Sequence, residues 1–390
     1  MKSRTRFGLL GLLGLFGIMG AVLFWTGWPN VGASPQGERL ERVARSEHYD
    51  VQRARFTNAL PTQNHFQLTT LWQWVVGRAH TTPDVPPVVF ENTAKVLREP
   101  PKSGLRVTWF GHSSVLIELD GVRVLTDPVW GERSSPWTFL GPKRFFAPVM
   151  PLEELPPLDA VVISHDHYDH LDAPSIRRLA SRVPLFLVPL GVGARLESWG
   201  VPAAKIVELD WWERYNLAGT EIVATPARHF SGRSLVDSNQ TLWASWAILG
   251  AHHRAYFSGD TAMFPGFKEI GERLGPFDIA MMESGAYHQD WADVHMGPEQ
   301  ALLAFKDVRG QVLLPIHWGT FKLALHAWTE PVERILAGAA QAKIQVTVPR
   351  PGQSVEMTSL PELERWWPAV EWETAEEHPV VSSGLDPRER

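Results

Sequence analysis

The stretch Ala160-Val161-Val162-Ile163-Ser164-His165-Asp166-His167-Tyr168-Asp169-His170 joins a short apolar run to a dense group of polar side chains. The first five residues predict a buried strand, because the run is short and rich in β-branched residues. Three imidazoles and the Asp169 carboxylate follow within six residues. Zinc and similar borderline divalent cations prefer this mixture of nitrogen and oxygen donors. The stretch therefore predicts a strand that brings metal ligands to the edge of a sheet.

Three more residues follow apolar runs in the same way. His229 comes after a run that begins at Ile222, Asp260 follows Ala255-Tyr256-Phe257-Ser258-Gly259, and His317 follows Val312-Leu313-Leu314-Pro315-Ile316. A single histidine after a strand is usually a hydrogen-bonded structural residue. Four such strand ends in one chain instead favour a shared metal site, since a sheet presents the ends of its strands along one edge.

Composition narrows the class of protein. The chain has 390 residues, is 44% hydrophobic and carries a formal net charge of -6, so it can form a substantial core and lacks the basic surface that predicts nucleic-acid binding. It contains no cysteine. Disulfides, thiolate catalysis and cysteine-ligated metal are therefore excluded, and a bound metal would depend on histidine, aspartate and glutamate.

The distribution of apolar runs predicts an α/β layered domain. Strands are expected at 106–110, 114–119 and 122–126, with Asp120-Gly121 as a tight hairpin turn, and helices at 265–274 and 298–306. A further helix is expected after Asp172 as N-cap, with Pro174 in its first turn. The predicted division is an N-terminal membrane segment at 1–33, an arm at 34–100 that packs on the main domain, a catalytic domain at 101–370 and a mostly disordered tail at 371–390.

The N-terminal segment predicts a membrane anchor. Lys2, Arg4 and Arg6 precede an uncharged run from Phe7 to Trp28, which is long enough to span a bilayer of about 30 Å as a helix. The positive flank places the body of the protein on the extracytoplasmic side. Val31-Gly32-Ala33 resembles a signal-peptidase site, so export with cleavage after Ala33 is the alternative. Glycines at every third position from Gly8 spiral around a helix, and they support a homodimer only weakly.

These residues resemble the metallo-β-lactamase fold superfamily, whose HxHxDH motif matches residues 165–170. The resemblance implies an αββα sandwich with a dinuclear zinc site, for which manganese or iron are alternatives. It implies that His165, His167 and His229 hold the first ion and that Asp169, His170 and His317 hold the second. It also implies that Asp260 bridges the two ions, a feature that true metallo-β-lactamases lack.

A closer resemblance, from about Tyr49 to His326, is to the N-acylphosphatidylethanolamine-hydrolysing phospholipase D family. The matching strings include TWFGHSSVLIELDG, LTDPVW, GPKRFFAP, ISHDHYDHLD, FSGDTA and IHWGTFKLA. The resemblance implies a hydroxide shared by two metal ions, a membrane phospholipid as substrate, and N-acylethanolamine and phosphatidic acid as products. A lactonase or another ester hydrolase of the same fold is the alternative, and a metal-stabilised scaffold is the non-enzymatic one.

Several neighbouring residues complete the predicted site. Asp169 and Asp260 are expected to act in catalysis as metal ligands, and His295 and His326 to contact phosphate or donate a proton. Asp127 either orients a ligand imidazole or forms a turn before Pro128. Glu283 departs from the phospholipase pattern, and its charge would disfavour a phosphodiester if it faced the cavity. An aromatic and basic loop contains residues expected to insert in a membrane or to pack as structure, namely Trp137, Phe139, Lys143, Arg144, Phe145 and Phe146.

Overall fold

The computed structural model describes residues 20, 22, 23, 25–63 and 67–385, apart from the side chains of residues 71 and 75. Two seven-stranded sheets dominate this part of the chain. The strands are β1 (Tyr49–Asp50), β2 (Arg55–Phe56), β3 (Leu105–Trp109), β4 (Val115–Leu119), β5 (Val122–Thr126), β6 (Ala160–Val162), β7 (Phe186–Pro189), β8 (Ile206–Leu209), β9 (Arg214–Leu217), β10 (Thr220–Thr225), β11 (Ser245–Leu249), β12 (Arg254–Phe257), β13 (Phe277–Glu283), β14 (Gly310–Ile316), β15 (Gln345–Val346) and β16 (Ser354–Glu356).

Helices lie between and outside the strands. Besides a helical segment at 25–31, they are α1 (Gly37–Val43), α2 (Leu68–Val76), α3 (Thr93–Val96), α4 (Ala173–Leu179), α5 (Gly193–Ser198), α6 (Gly266–Leu274), α7 (Pro298–Asp307) and α8 (Glu330–Ala342). The predicted helices at 265–274 and 298–306 and the cap of α4 are confirmed. The Asp172 side chain accepts a hydrogen bond from the backbone N–H of Ser175, as an N-cap should.

The two sheets pack face to face with helices on both outer faces. The first sheet has the order β16-β3-β4-β5-β6-β7-β8 and the second has the order β15-β14-β13-β12-β11-β10-β9. Side chains from both sheets, such as Ile117 and Trp246, share one buried cluster. Helices α4 and α5 cover the first sheet, and α6, α7 and α8 cover the second. This is the predicted αββα sandwich.

Strand direction explains why the predicted ligands meet. Strands β5, β6, β7 and β8 are mutually parallel, as are β12, β13 and β14. Strand β10 is antiparallel to β11, which is antiparallel to β12, so β10 runs in the same direction as β12. Parallel strands end at the same edge of a sheet. The segments that follow β10, β12 and β14 therefore begin at one edge of the second sheet. His165, after β6 of the first sheet, lies against this edge, with its Nε2 atom 3.8 Å from Asp260 Oδ2.

The terminal segments differ from the predictions in one respect. Residues 371–385 are not a disordered tail, because Val380, Ser382 and Leu385 are buried and Ser383 donates hydrogen bonds to Asp293. Such long-range contacts leave no local signature in a polar sequence. Within the described residues, no helix is long and apolar enough to cross a bilayer, and residues 7–19 of the predicted anchor lie outside them.

Candidate metal centre

Four of the seven predicted ligands converge on a carboxylate oxygen of a fifth, Asp260. Asp260 Oδ2 lies 3.0 Å from His170 Nε2 and 3.0 Å from His317 Nε2. The same oxygen lies 3.8 Å from His165 Nε2 and 3.8 Å from His229 Nε2. Asp260 thus stands between two groups of imidazoles, where a bridging carboxylate must be.

The first group consists of His165, His167 and His229, whose ligand atoms all lie within 4.8 Å of one another. His167 Nδ1 is 2.8 Å from His165 Nε2 and 3.3 Å from His229 Nε2. Burial, followed by repulsion from neighbouring imidazoles, lowers the pKa of His165 well below its ordinary value. A neutral imidazole keeps the lone pair that a metal ion requires.

The second group contains Asp169, His170 and His317, together with His112, which was not predicted as a ligand. His112 Nε2 lies 2.9 Å from Asp169 Oδ2, and burial lowers the pKa of His112 to about 3. His112 comes three residues after β3. The strand-end criterion that selected the other histidines would therefore have selected it as well.

Hydrogen bonds to the backbone and to carboxylates orient the ligand rings. His170 Nδ1 donates to Asp127 Oδ2 at 2.7 Å, so the predicted orienting role of Asp127 is supported by its contact. Asp127 also accepts hydrogen bonds from the backbone and hydroxyl of Ser164. His229 Nδ1 donates to the Val294 carbonyl at 2.7 Å. Each contact occupies Nδ1 and leaves Nε2 to face the cluster, the usual arrangement around a metal-bound histidine.

Strained backbone accompanies this arrangement. His112, Asp127 and His317 have φ values of 52°, 36° and 65°, a region that side chains other than glycine rarely adopt. Gly259, with a φ of 56°, allows the end of β12 to approach the end of β6, because a Cβ there would lie 2.6 Å from Ser164 Cβ. Strain at positions that the surrounding structure holds fixed is typical of functional sites.

The donor set fits divalent cations. Asp260 Oδ1 is buried and has no hydrogen-bond partner among the described residues. Unpaired buried polar atoms are costly in a fold without a ligand. The His170 and His317 imidazoles hold the pKa of Asp260 well below its ordinary value although burial acts to raise it. Asp260 is therefore an anion that can bind cations on both sides.

The two predicted non-ligand histidines differ in their contacts. His295 Nδ1 lies 2.6 Å from Glu283 Oε1, so Nε2 is the ring nitrogen left to contact a substrate. His326 Nε2 accepts from the Ala286 N–H, and His326 Nδ1 donates to the Ala327 carbonyl. Both nitrogens of His326 bond to the backbone in this geometry. Its predicted catalytic role therefore stays a prediction without a supporting contact.

Glu283 does not present a free charge to the cavity. The residue is fully buried, and its second oxygen accepts a hydrogen bond from the Thr261 N–H. Burial and the Asp260 carboxylate raise the pKa of Glu283 well above its ordinary value, while burial lowers the pKa of His295 to about 4. Both shifts favour the neutral forms of this pair, and the hydrogen bond between Glu283 Oε1 and His295 Nδ1 leaves His295 Nε2 to contact a substrate.

Residues of the N-terminal arm also position the centre. Asn58 donates to the His229 carbonyl at 2.7 Å and accepts from the His229 N–H at 3.2 Å. This pair of hydrogen bonds holds the backbone of a ligand directly. No sequence signal indicated it, because residues 58 and 229 are far apart in the chain.

The αββα sandwich and the His/Asp cluster at its edge define a metal-dependent hydrolase of the metallo-β-lactamase fold. Residues 122–318 match the family model of the beta-lactamase superfamily domain, and the chain belongs to that family. A crystal structure of isothiocyanate hydrolase from Delia radicum gut bacteria shares the fold, with 20% identity and a TM-score of 0.50 over 64% of this chain and 98% of that one.

Comparison of sequences finds relatives with higher identity to this chain than that crystal structure has. An uncharacterized protein of Mycobacterium bovis is 50% identical over 307 residues, which are 76% of this chain and 80% of that protein. N-acyl-phosphatidylethanolamine-hydrolyzing phospholipase D 1 of Caenorhabditis elegans is 41% identical over 60% of this chain and 69% of its own length. The mitochondrial enzyme of that name in Saccharomyces cerevisiae is 35% identical over 58% of this chain and half of its own length. The resemblance predicted from the sequence is thereby confirmed.

Proposed function

We propose that this protein is a dinuclear zinc phosphodiesterase that hydrolyses N-acylphosphatidylethanolamine to N-acylethanolamine and phosphatidic acid. The convergence of four imidazoles on Asp260 Oδ2 carries the proposal of a two-metal centre. The similarity to the worm and yeast phospholipases supports the choice of substrate.

The proposed ligand sets follow the two groups of side chains. His165, His167 and His229 would hold one cation, and Asp169, His170 and His317 would hold the other, with Asp260 shared. Bound cations would supply an activated water and offset the charge that develops at phosphorus. The predicted zinc ions suit these nitrogen-rich sets, and manganese or iron are the alternatives.

The protein's own groups would orient the substrate. His295 Nε2 would donate a hydrogen bond to a phosphoryl or leaving-group oxygen, since Glu283 occupies the other ring nitrogen. A neutral Glu283 carboxyl group, which its raised pKa favours, would not repel the phosphodiester.

We further propose that the uncharged segment from Phe7 holds the domain at a membrane, on the extracytoplasmic side. Five carbonyl and amide groups of residues 29–33 bond to the catalytic domain, which favours retention over cleavage after Ala33. A mass spectrum of the membrane-bound protein tests this. A mature chain that begins at Ser34 would contradict it.

The activity test uses the full chain purified in detergent and loaded with zinc. We expect it to release N-acylethanolamine and phosphatidic acid from N-acylphosphatidylethanolamine, as detected by mass spectrometry, and we expect Asp260→Asn to release neither. Turnover of an acyl-homoserine lactone with no release from the phospholipid would contradict the proposal and favour an ester hydrolase. The absence of any hydrolysis with both ions bound would favour a metal-stabilised scaffold.

A further inference from the structure

Helix α2 exposes apolar side chains beside the metal centre. Leu68, Trp72 and Val76 are spaced one helical turn apart and are 85%, 64% and 57% exposed. On another side of the helix, Thr70 is buried and donates to Asp290. A helix on the surface of a globular protein normally buries its apolar stripe and exposes its polar one. In α2 the described apolar side chains Leu68, Trp72 and Val76 are exposed, whereas the polar Thr70 is buried.

Two loops at the same edge expose apolar tips. The loop after the ligand His229 carries Leu235, which is fully exposed, and Val236. Asp237 holds this tip in place by accepting hydrogen bonds from the N–H groups of residues 233 and 234. The loop after β5 carries Phe139 and Leu140, both about half exposed. We call Leu68, Trp72, Val76, Phe139, Leu140, Leu235 and Val236 the apolar rim.

Contacts tie the rim to the site. The ring of Phe230, at the base of the first loop, lies 4.4 Å from the ring of His167. The second loop pairs at Arg144 with Phe321, whose ring lies 5.4 Å from that of His112. Thr70 of α2 reaches Asp290 in the segment that leads to His295. Each segment that carries rim residues is therefore joined by contacts to the edge at which the proposed ligands converge.

Residues 29–33 fix the preceding helical segment against this same edge. Arg233 donates to the carbonyls of residues 30 and 31, and Arg195 donates to the carbonyl of residue 32 while also pairing with Asp166 of the ligand loop. Trp137, two residues before Phe139, donates to the Leu23 carbonyl at 2.8 Å. The uncharged run that starts at Phe7 thus enters the described structure next to the rim.

We propose that the apolar rim docks on the bilayer that holds the N-terminal segment, with the metal centre facing the membrane. The proposal rests on the proposed lipid function and names the surface by which that substrate is reached. The uncharged N-terminal run leads to this face, which favours a bilayer as the occupant. A cleft of about 650 Å³ between α2 and the second loop is lined by Trp74, Lys143, Arg144 and Lys322. Lys143 and Lys322 are the cations that suit lipid phosphates, since Arg144 is buried, and Asp84 also lines the cleft.

The absence of cysteine makes the test direct, since each introduced cysteine carries the only label. Full-length Leu235→Cys, Phe139→Cys and Trp72→Cys variants are labelled with a nitroxide and placed in nanodiscs of phosphatidylethanolamine and phosphatidylglycerol. Ala251→Cys is the control, because Ala251 is exposed in the turn between β11 and β12, at the far end of β12 from Asp260. Collisions with oxygen and with a water-soluble nickel chelate are measured for each label.

In nanodiscs, we expect the oxygen-to-nickel collision ratio to be several-fold higher for the three rim labels than for the Ala251 label. Equal ratios at all four positions would overturn the proposal. Dipolar broadening between rim labels from separate chains would also overturn it, because the rim would then contact a second copy.

A second measurement separates docking from lipid hydrolysis. In the double variant Leu235→Glu/Val236→Glu, we expect turnover of vesicle phospholipid to fall at least severalfold relative to turnover of a soluble phosphodiester, with Ala251→Glu as control. An unchanged ratio would contradict docking. Rim labels that enter the bilayer in a protein without phospholipase activity would instead uphold docking and contradict the proposed function.

Discussion

Glu283 Oε1 and His295 Nδ1 lie 2.6 Å apart, and Glu283 is fully buried while the His295 side chain is 14% exposed. The carboxyl group is held from the other side by the Thr261 N–H. The pair therefore fixes the His295 ring so that one nitrogen faces inward to Glu283 and the other is left for substrate. Glu283, which seemed a departure unfavourable to phosphodiesters, is a positioning residue for His295.

Substitutions at Glu283 test that role. Gln at this position can still donate to His295 Nδ1 and accept from Thr261, so we expect Glu283→Gln to keep kcat within a few-fold of the wild type. Glu283→Leu removes the donor, and we expect kcat to fall by about 10- to 100-fold with two metal ions still bound. Glu272→Leu, on the exposed face of α6, is the matched control. Equal losses in the Gln and Leu variants would show that the proton does not lie on Glu283.

Asp260 is the residue whose loss should be most severe. Asp260→Asn keeps the shape of the side chain but removes the anion that both groups of imidazoles approach, so we expect turnover to be abolished and the bound metal to drop below two ions per chain. His229→Ala should also abolish turnover, whereas His252→Ala, in the exposed turn between β11 and β12, should not. Elemental analysis and activity are measured on the same samples. Wild-type rates in Asp260→Asn would contradict a dinuclear mechanism.

The sequence predicted those parts of the site that have a local signature. His229, Asp260 and His317 could be found because each follows an apolar run that becomes a strand, and strand direction then brings them together. His112 carries the same signature but was not predicted as a ligand, since it lies next to Ser113 and Ser114 rather than in a cluster of potential ligands. The hairpin at Asp120-Gly121 was predicted correctly, and both residues have the positive φ that a type I′ turn requires.

The parts that could not be predicted depend on long-range contacts. Asn58 holds His229 across 171 positions, and Asp293 joins the C-terminal segment to the loop that carries His295. Neither residue belongs to a motif or to a periodic pattern. Arg144 and Phe146 were expected either to insert in a membrane or to pack as structure, and both are buried, whereas Phe139 is the only aromatic residue of that loop that is largely exposed. Tertiary packing decides which residues of an irregular loop face solvent.

Asp127 should control metal affinity without touching the metal. It binds both His170 Nδ1 and Ser164, so the replacement Asp127→Asn would present an amide N–H or a weaker acceptor to the imidazole. We expect zinc to bind about 10- to 100-fold more weakly. Competition with a fluorescent chelator measures the affinity, and saturating zinc should restore most of the activity. An unchanged affinity would mean that the ring of His170 is held by other contacts.

Removal of metal should destabilise the fold. The buried cluster of imidazoles and carboxylates is a favourable ligand set but an unfavourable core without a bound cation. A cation that binds only the folded chain stabilises it by RT ln(1 + [L]/Kd), which is about 4 kcal/mol when its concentration is 1,000 times Kd. We therefore expect a chelator to lower the melting temperature and excess zinc to restore it. In Asp260→Asn the response to zinc should be smaller, and a full response there would place the metal elsewhere.

Arg233 should hold the N-terminal segment and the ligand loop together. Its guanidinium donates to the carbonyls of Asn30, Val31, Asp166 and Leu171 and is almost fully buried. Arg233→Ala leaves these carbonyls without their donor, so we expect the free energy of unfolding to fall by at least about 3 kcal/mol. Arg214→Ala, which removes only an exposed ion pair with Glu221, should cost less than about 1 kcal/mol. Urea unfolding measures the free energy of unfolding of both variants. An equal decrease in Arg233→Ala and Arg214→Ala would mean that other contacts bind residues 30 and 31 to the domain.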